Sequence, residues 1–130
     1  MNIVRTPLIW IGGKIRLVKW ILPYVNVPCQ TYVEPFGGSA AVLLNRNVSP
    51  VEVYNDSDGR LVTFMLCIKH HYDEFCREVS NLPYARELFN SNMKWLQSGC
   101  HGRVTDIQFA ARWWYVNLLS YGGTMSSFGT

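Results

Sequence analysis

The sequence has no Cys-x-x-C pair, no internal repeat, no low-complexity tract and no apolar run near the ~20 residues needed to cross a bilayer. Each absence removes a class of protein. The four cysteines, Cys29, Cys67, Cys76 and Cys100, are scattered. That spacing suggests neither a disulfide framework nor a four-thiolate zinc site and fits a reducing compartment. No signal-peptide pattern follows residues 1–5, so the chain reads as a cytoplasmic protein that is not exported and does not enter a membrane. Charge is scarce as well, at 16% of 130 residues with a net value of +3. The pI of 8.7 is below the value of about 9 that dedicated nucleic-acid domains often exceed, so charge alone selects no partner.

What is present is the composition of one globular fold, 48% hydrophobic and 14% aromatic, with no Gly/Ser linker dividing it. Ile15, Val18, Ile21 and Leu22 recur at helical spacing and predict an amphipathic helix over 14–22, closed by Pro23. Residues 31–34 are β-prone and meet Pro35, Phe36, Gly37 and Gly38, after which 39–45 reads as a helix opening on small residues. Residues 51–54 are again β-prone and stop at the turn-forming cluster Asn55, Asp56, Ser57, Asp58 and Gly59. The apolar run over 61–68 then predicts a helix packed on a sheet. This β-α-β-α order implies a parallel sheet with right-handed crossovers. Beyond Tyr72, helix-like segments over 73–79, 84–96 and 106–119 follow without another strand, so the sheet stays incomplete and the second half is mainly helical.

Three features carry chemistry. Glycines at 37 and 38 let a backbone approach a ligand closely, and a helix opening behind them presents unpaired N–H groups. Asp56 lies at the end of the next strand, roughly 20 residues on, where an acidic side chain meets ribose hydroxyls in β-α-β nucleotide sites. Trp10, Gly12, Gly13 and Lys14 place a flat ring and a cation ahead of a helix. Taken singly, each has a plain structural account: a tight turn, a helix cap, a core anchor and a solvated lysine.

Together they resemble one family. Ile9-Trp10-Ile11-Gly12-Gly13-Lys14, Tyr32-Val33-Glu34-Pro35-Phe36-Gly37-Gly38-Ser39 and Tyr54-Asn55-Asp56 resemble, in order and spacing, the start of the Dam-type (D12 class) DNA adenine-N6 methyltransferases. The similarity covers about 7–68 and continues more weakly over 111–123, where Tyr115-Val116-Asn117 and Ser120-Tyr121-Gly122-Gly123 are similar to the segment entering the family's target-recognition hairpin. The resemblance implies a Rossmann-like methyltransferase fold, S-adenosylmethionine as cofactor, no metal, and double-stranded DNA as partner, as in restriction-modification enzymes. It implies that Trp10, Gly12, Gly13 and Lys14 border the cofactor, with Lys14 near the methionine carboxylate. Glu34, Pro35, Phe36, Gly37 and Gly38 would line it, Glu34 facing the methionine ammonium, and Asp56 would accept from the ribose. Residues 1–70 would be the cofactor part and 71–130 the helical segment leading into the recognition region. Ser39 and Ala40 replace other small residues of the family pattern.

The family's catalytic Asp-Pro-Pro-Tyr motif is missing: no Asp-Pro or Pro-Pro pair occurs. The nearest string, Asn81-Leu82-Pro83-Tyr84, offers Asn81 and Tyr84 as weak catalytic candidates. Leu82 removes the rigid bend and the string precedes the recognition segment, so it reads as a helix boundary. Arg112, Asn117 and Tyr121 are candidates for contact with DNA, against a core role for the Trp113–Tyr115 run. His70 and His71 near Cys67 and Cys76 lack the spacing of a metal site. The expectation is thus the N-terminal portion of a DNA adenine-N6 methyltransferase, truncated before its catalytic motif and inactive alone. The alternative is a degenerate binding module that docks a partner or self-associates through uncovered strand edges.

Overall fold

The computed structural model describes residues 2–100 and 102–129. The chain is a mixed α/β protein that divides into two compact units, residues 1–57 and 58–130.

The first unit holds α1 (Val18–Val25), β1 (Thr31–Glu34) and β2 (Val51–Tyr54). The two strands pair in parallel, with Thr31 opposite Val51 and Glu34 opposite Tyr54. None of their residues is fully buried. Val18 and Leu22 of α1 pack with Ala41 beneath Ile3, Ile15 and Val25. The helix differs from its expected bounds at both ends. The turn before it is the tighter i→i+3 kind, with Leu17 N–H on Lys14 O at 2.8 Å, so the regular helix opens only at Val18. Pro23 lies inside it, where the proline ring fits helical φ and forfeits a single bond, and the helix runs on to Val25.

The helix expected over 39–45 is absent, and a series of turns takes its place. Gly38 and Ala40 adopt left-handed φ values of +51° and +56°, and for alanine that conformation costs on the order of 1 kcal/mol. Leu43 N–H then goes to the Glu34 carboxylate at 3.2 Å rather than to a helical carbonyl. The segment is anchored from other directions too. Asn45 exchanges hydrogen bonds with the Val4 backbone, accepting at 2.7 Å and donating at 3.0 Å. The buried Arg46 guanidinium pairs with Glu52 at 3.0 Å and lies 3.9 Å over the Tyr32 ring, tying the connection to both strands.

The second unit holds α2 (Gly59–His70), α3 (Tyr72–Val79), α4 (Arg86–Gln97), α5 (Asp106–Leu119) and a 3₁₀ turn at Tyr121–Gly123. Asp58 caps α2 by accepting from Arg60 N–H at 2.9 Å. Thr105 and Gln108 form a reciprocal capping box on α5, which explains why that helix starts where its sequence says. The other three helices of the unit all pack on α5. Trp113, wholly buried, meets Phe64 at 5.4 Å, and Phe75 meets Phe64 and Trp114 edge-on at 5.7 Å each. A second cluster joins Phe89, Met93, Tyr115 and Val116 to Leu82, Met125 and Phe128. The Gly/Ser/Thr-rich tail is folded over 122–129: Ser120 pairs with Phe128 in an antiparallel bridge, and Gly129 N–H reaches Leu119 O at 2.7 Å. Among the described residues no helix is long and apolar enough to cross a membrane.

Candidate functional site

The site is built where β1 and β2 end. Because Glu34 pairs with Tyr54, the Pro35–Gly38 turn and the Tyr54-Asn55-Asp56 run leave the sheet side by side. They are stitched together residue by residue. Asn55 carbonyl accepts from Gly37 N–H at 2.8 Å, and its side-chain amide donates to Pro35 O at 2.9 Å. Asp56 accepts from Gly38 N–H at 2.9 Å, and the Tyr54 hydroxyl donates to Gly38 O at 2.7 Å.

Both glycines are required by what surrounds them. A Cβ at Gly37 would overlap the Tyr54 ring, and one at Gly38 would meet Trp10 Cδ1 at 2.9 Å. The Trp10–Lys14 loop is thereby seated on the second glycine turn. Gly13 N–H bonds Trp10 O at 2.9 Å, Gly12 takes φ +74°, and Lys14 Nζ donates to Gly12 O at 2.6 Å.

Trp10, Gly12, Gly13, Lys14, Glu34, Phe36, Gly37, Gly38 and Asp56 line one cavity of about 270 Å³, with Ile11, Ser39, Ala41 and Val42. Pro35 is outside the lining, and its carbonyl serves the stitching. The volume is just under the roughly 300–1,000 Å³ of pockets that enclose drug-sized ligands, so it suits a ligand held along one side. One lysine and two carboxylates face it, and the Phe36 ring beside it is 88% exposed. Burial pushes the Glu34 carboxyl above its ordinary value, against the opposing pull of Leu43 N–H and the Arg46 charge.

The remaining candidates belong to the second unit. Asn81 lies in the turn after α3, and Tyr84 precedes α4, with its hydroxyl donating to Gly129 O at 2.8 Å and its ring 5.2 Å from Phe128. The expected helix start at 84 therefore moves to Arg86, because the Tyr115 hydroxyl holds the preceding strand-like backbone by donating to Pro83 O at 2.6 Å. Asn117 is wholly buried, the Arg112 guanidinium stacks 4.7 Å over Trp95, and Tyr121 is exposed. A hollow of about 400 Å³ opens beside Cys67, His70, His71 and Asp106. Burial and the Asp106 charge push the Cys67 thiol up, which disfavours the thiolate a metal needs. Among the described residues no three His, Cys, Asp or Glu side chains come together to hold a metal ion.

Three contributors carry no site role in the sequence reading. Tyr54 and Asn55 were only part of a quoted motif, yet they hold the glycine turn; the signal was their adjacency to Asp56 at a strand end. Arg46 was unmarked, and a lone arginine in a turn segment carries no sequence sign of burial.

A family model described as D12 class N6 adenine-specific DNA methyltransferase matches residues 10–128. No curated protein matches the chain.

Proposed function

The chain belongs to the D12 class of N6 adenine-specific DNA methyltransferases, and from that premise we propose that its first unit holds S-adenosylmethionine for methylation of adenine in DNA. The observation that carries this reading is the convergence of two glycine turns, a lysine and two carboxylates on one cavity. The donor set fits the ligand's chemistry. Lys14 supplies a cation for the methionine carboxylate, Glu34 a carboxylate for the ammonium, and Asp56 an acceptor for ribose hydroxyls. Gly38, where any side chain would strike Trp10, keeps the wall thin. Trp10 and the exposed Phe36 offer ring faces to the adenine. The parallel strands with the site at their carboxyl ends support a Rossmann-like arrangement.

S-adenosylmethionine held by Lys14, Glu34 and Asp56 would supply an electrophilic sulfonium methyl group for the adenine N6 amine, with the neutral thioether as leaving group and one amine proton lost to solvent. This chain's residues bind and orient. Its sequence contains no Asp-Pro-Pro-Tyr to aim the target amine, so methyl transfer by this chain alone is expected at background level. Tyr121, exposed, remains the candidate for stacking on DNA, while full burial of Asn117 favours a packing role for it.

Calorimetric titration of the whole chain with S-adenosylmethionine and its demethylated product tests the proposal. Binding that falls at least 10-fold in Asp56→Ala is expected, since that change removes both the ribose acceptor and the Gly38 tether. A folded sample that binds neither compound overturns it.

A further inference from the structure

We infer that Tyr54 is a positioning residue for the cofactor cradle, a role that rests on the proposed function of this cavity. Tyr54 does not line the cavity. It acts through the two glycines that do. Its ring occupies the space where a side chain at Gly37 would lie, and its hydroxyl donates to Gly38 O at 2.7 Å. Asp56, two residues on, accepts from Gly38 N–H at 2.9 Å. The Gly38 residue is thus gripped at its carbonyl and at its N–H by side chains from one strand end.

That grip has something to oppose. Gly38 is left-handed at φ +51°, Ala40 follows at +56°, and the Trp10 ring presses where a Gly38 Cβ would be. A glycine turn without tethers samples many backbone conformations, and a ligand would have to select the competent one at a cost in affinity. The Tyr54 hydroxyl holds that conformation in the absence of ligand. Register explains why this residue serves. With Tyr54 opposite Glu34, its side chain is the last of β2 able to reach across the turn that begins at Pro35.

Tyr54→Phe removes the hydroxyl and keeps the ring against Gly37. In the full-length chain we expect a cooperative melt, affinity for S-adenosylmethionine weakened about 3- to 10-fold, the scale of one neutral hydrogen bond, and amide exchange at Gly37 and Gly38 accelerated by a similar factor. Exchange in α1, at Leu22 for example, stays unchanged. Either unaltered affinity or unaltered glycine exchange in Tyr54→Phe overturns the inference. Gly37→Ala is the second variant: its methyl displaces the Tyr54 ring, so affinity should fall further than in Tyr54→Phe, and wild-type affinity there overturns the inference too. The exchange measurement needs no ligand. Failure of the wild type to bind S-adenosylmethionine therefore overturns the function of the cavity, while unaltered glycine exchange in Tyr54→Phe overturns the tether itself.

Discussion

The two units of this chain are held by different forces. In residues 58–130 the buried set includes Phe64, Phe75, Phe89, Trp113 and Tyr115, and rings meet one another across helices. Among the described residues of 1–57 the buried apolar side chains are Leu8, Val18, Leu22, Ala40, Ala41 and Val42, with no aromatic among them. Order there comes instead from directed polar bonds: Asn45 on Val4, Glu34 on Leu43, Arg46 on Glu52, and the Tyr54-Asn55-Asp56 run on the glycine turn. Apolar burial is non-directional and tolerates sliding, whereas a hydrogen bond fixes one atom against another. A ligand cradle needs the second kind of support, and the proposed cradle lies in the unit that has it.

This contrast can be broken from either side. The largest effect is expected in the helical unit, where Trp113→Ala should cost about 3–5 kcal/mol in denaturant titration, because it empties a wholly buried site between Phe64 and α5. A loss below about 1 kcal/mol would mean that the aromatic cluster does not hold that unit. Arg46→Ala comes next, at about 1–3 kcal/mol. It removes the guanidinium from Glu52 and Tyr32, and Glu52, with 29% of its side chain exposed, recovers part of the loss in water. Arg46→Met, which keeps the apolar stem, should lose less; equal losses would show that the guanidinium's contacts with Glu52 and Tyr32, rather than packing of the stem, carry the whole effect.

The smallest effect concerns Glu34. Burial raises its carboxyl pKa in the fold, so its ionisation costs stability at pH above that raised pKa, and the cost vanishes as pH falls and the folded state takes up the proton. The same protonation removes the charge assigned to the methionine ammonium. Affinity for S-adenosylmethionine should therefore weaken on acidification at a pH above the ordinary carboxylate range. Glu34→Gln should bind about 2- to 5-fold more weakly near neutrality, the scale of a partly exposed ion pair, and lose that acid-side dependence. An unchanged pH profile in the variant would remove Glu34 from the ligand's contacts.

How far the sequence could be read follows the same division. Strands 31–34 and 51–54 and helix 106–119 are legible because β-branched runs, turn clusters and apolar residues at helical spacing are local signals. The gathering of Gly37, Gly38 and Asp56 is legible from motif order, since a glycine turn and an acidic run at the ends of two parallel strands lie side by side, and the Trp10–Lys14 loop is added through the family resemblance. Residues 39–45 mislead because their small and apolar residues suit a helix, and what prevents it lies elsewhere: left-handed Gly38 and Ala40, and a Glu34 carboxylate that takes the Leu43 N–H. The Tyr54 grip on Gly38 requires the register of two strands, which no local pattern contains.

Amide shift mapping by nitrogen-15 NMR, with S-adenosylmethionine titrated into the labelled chain, tests most directly whether the polar-tethered unit is the one that binds. Shifts concentrated at Gly12, Gly13, Lys14, Gly37, Gly38 and Asp56, with Phe64, Trp113 and Val116 unmoved, are the predicted result. Shifts clustered instead around Cys67, His70 and Asp106, or spread through the helical core with the glycine turns silent, would contradict it.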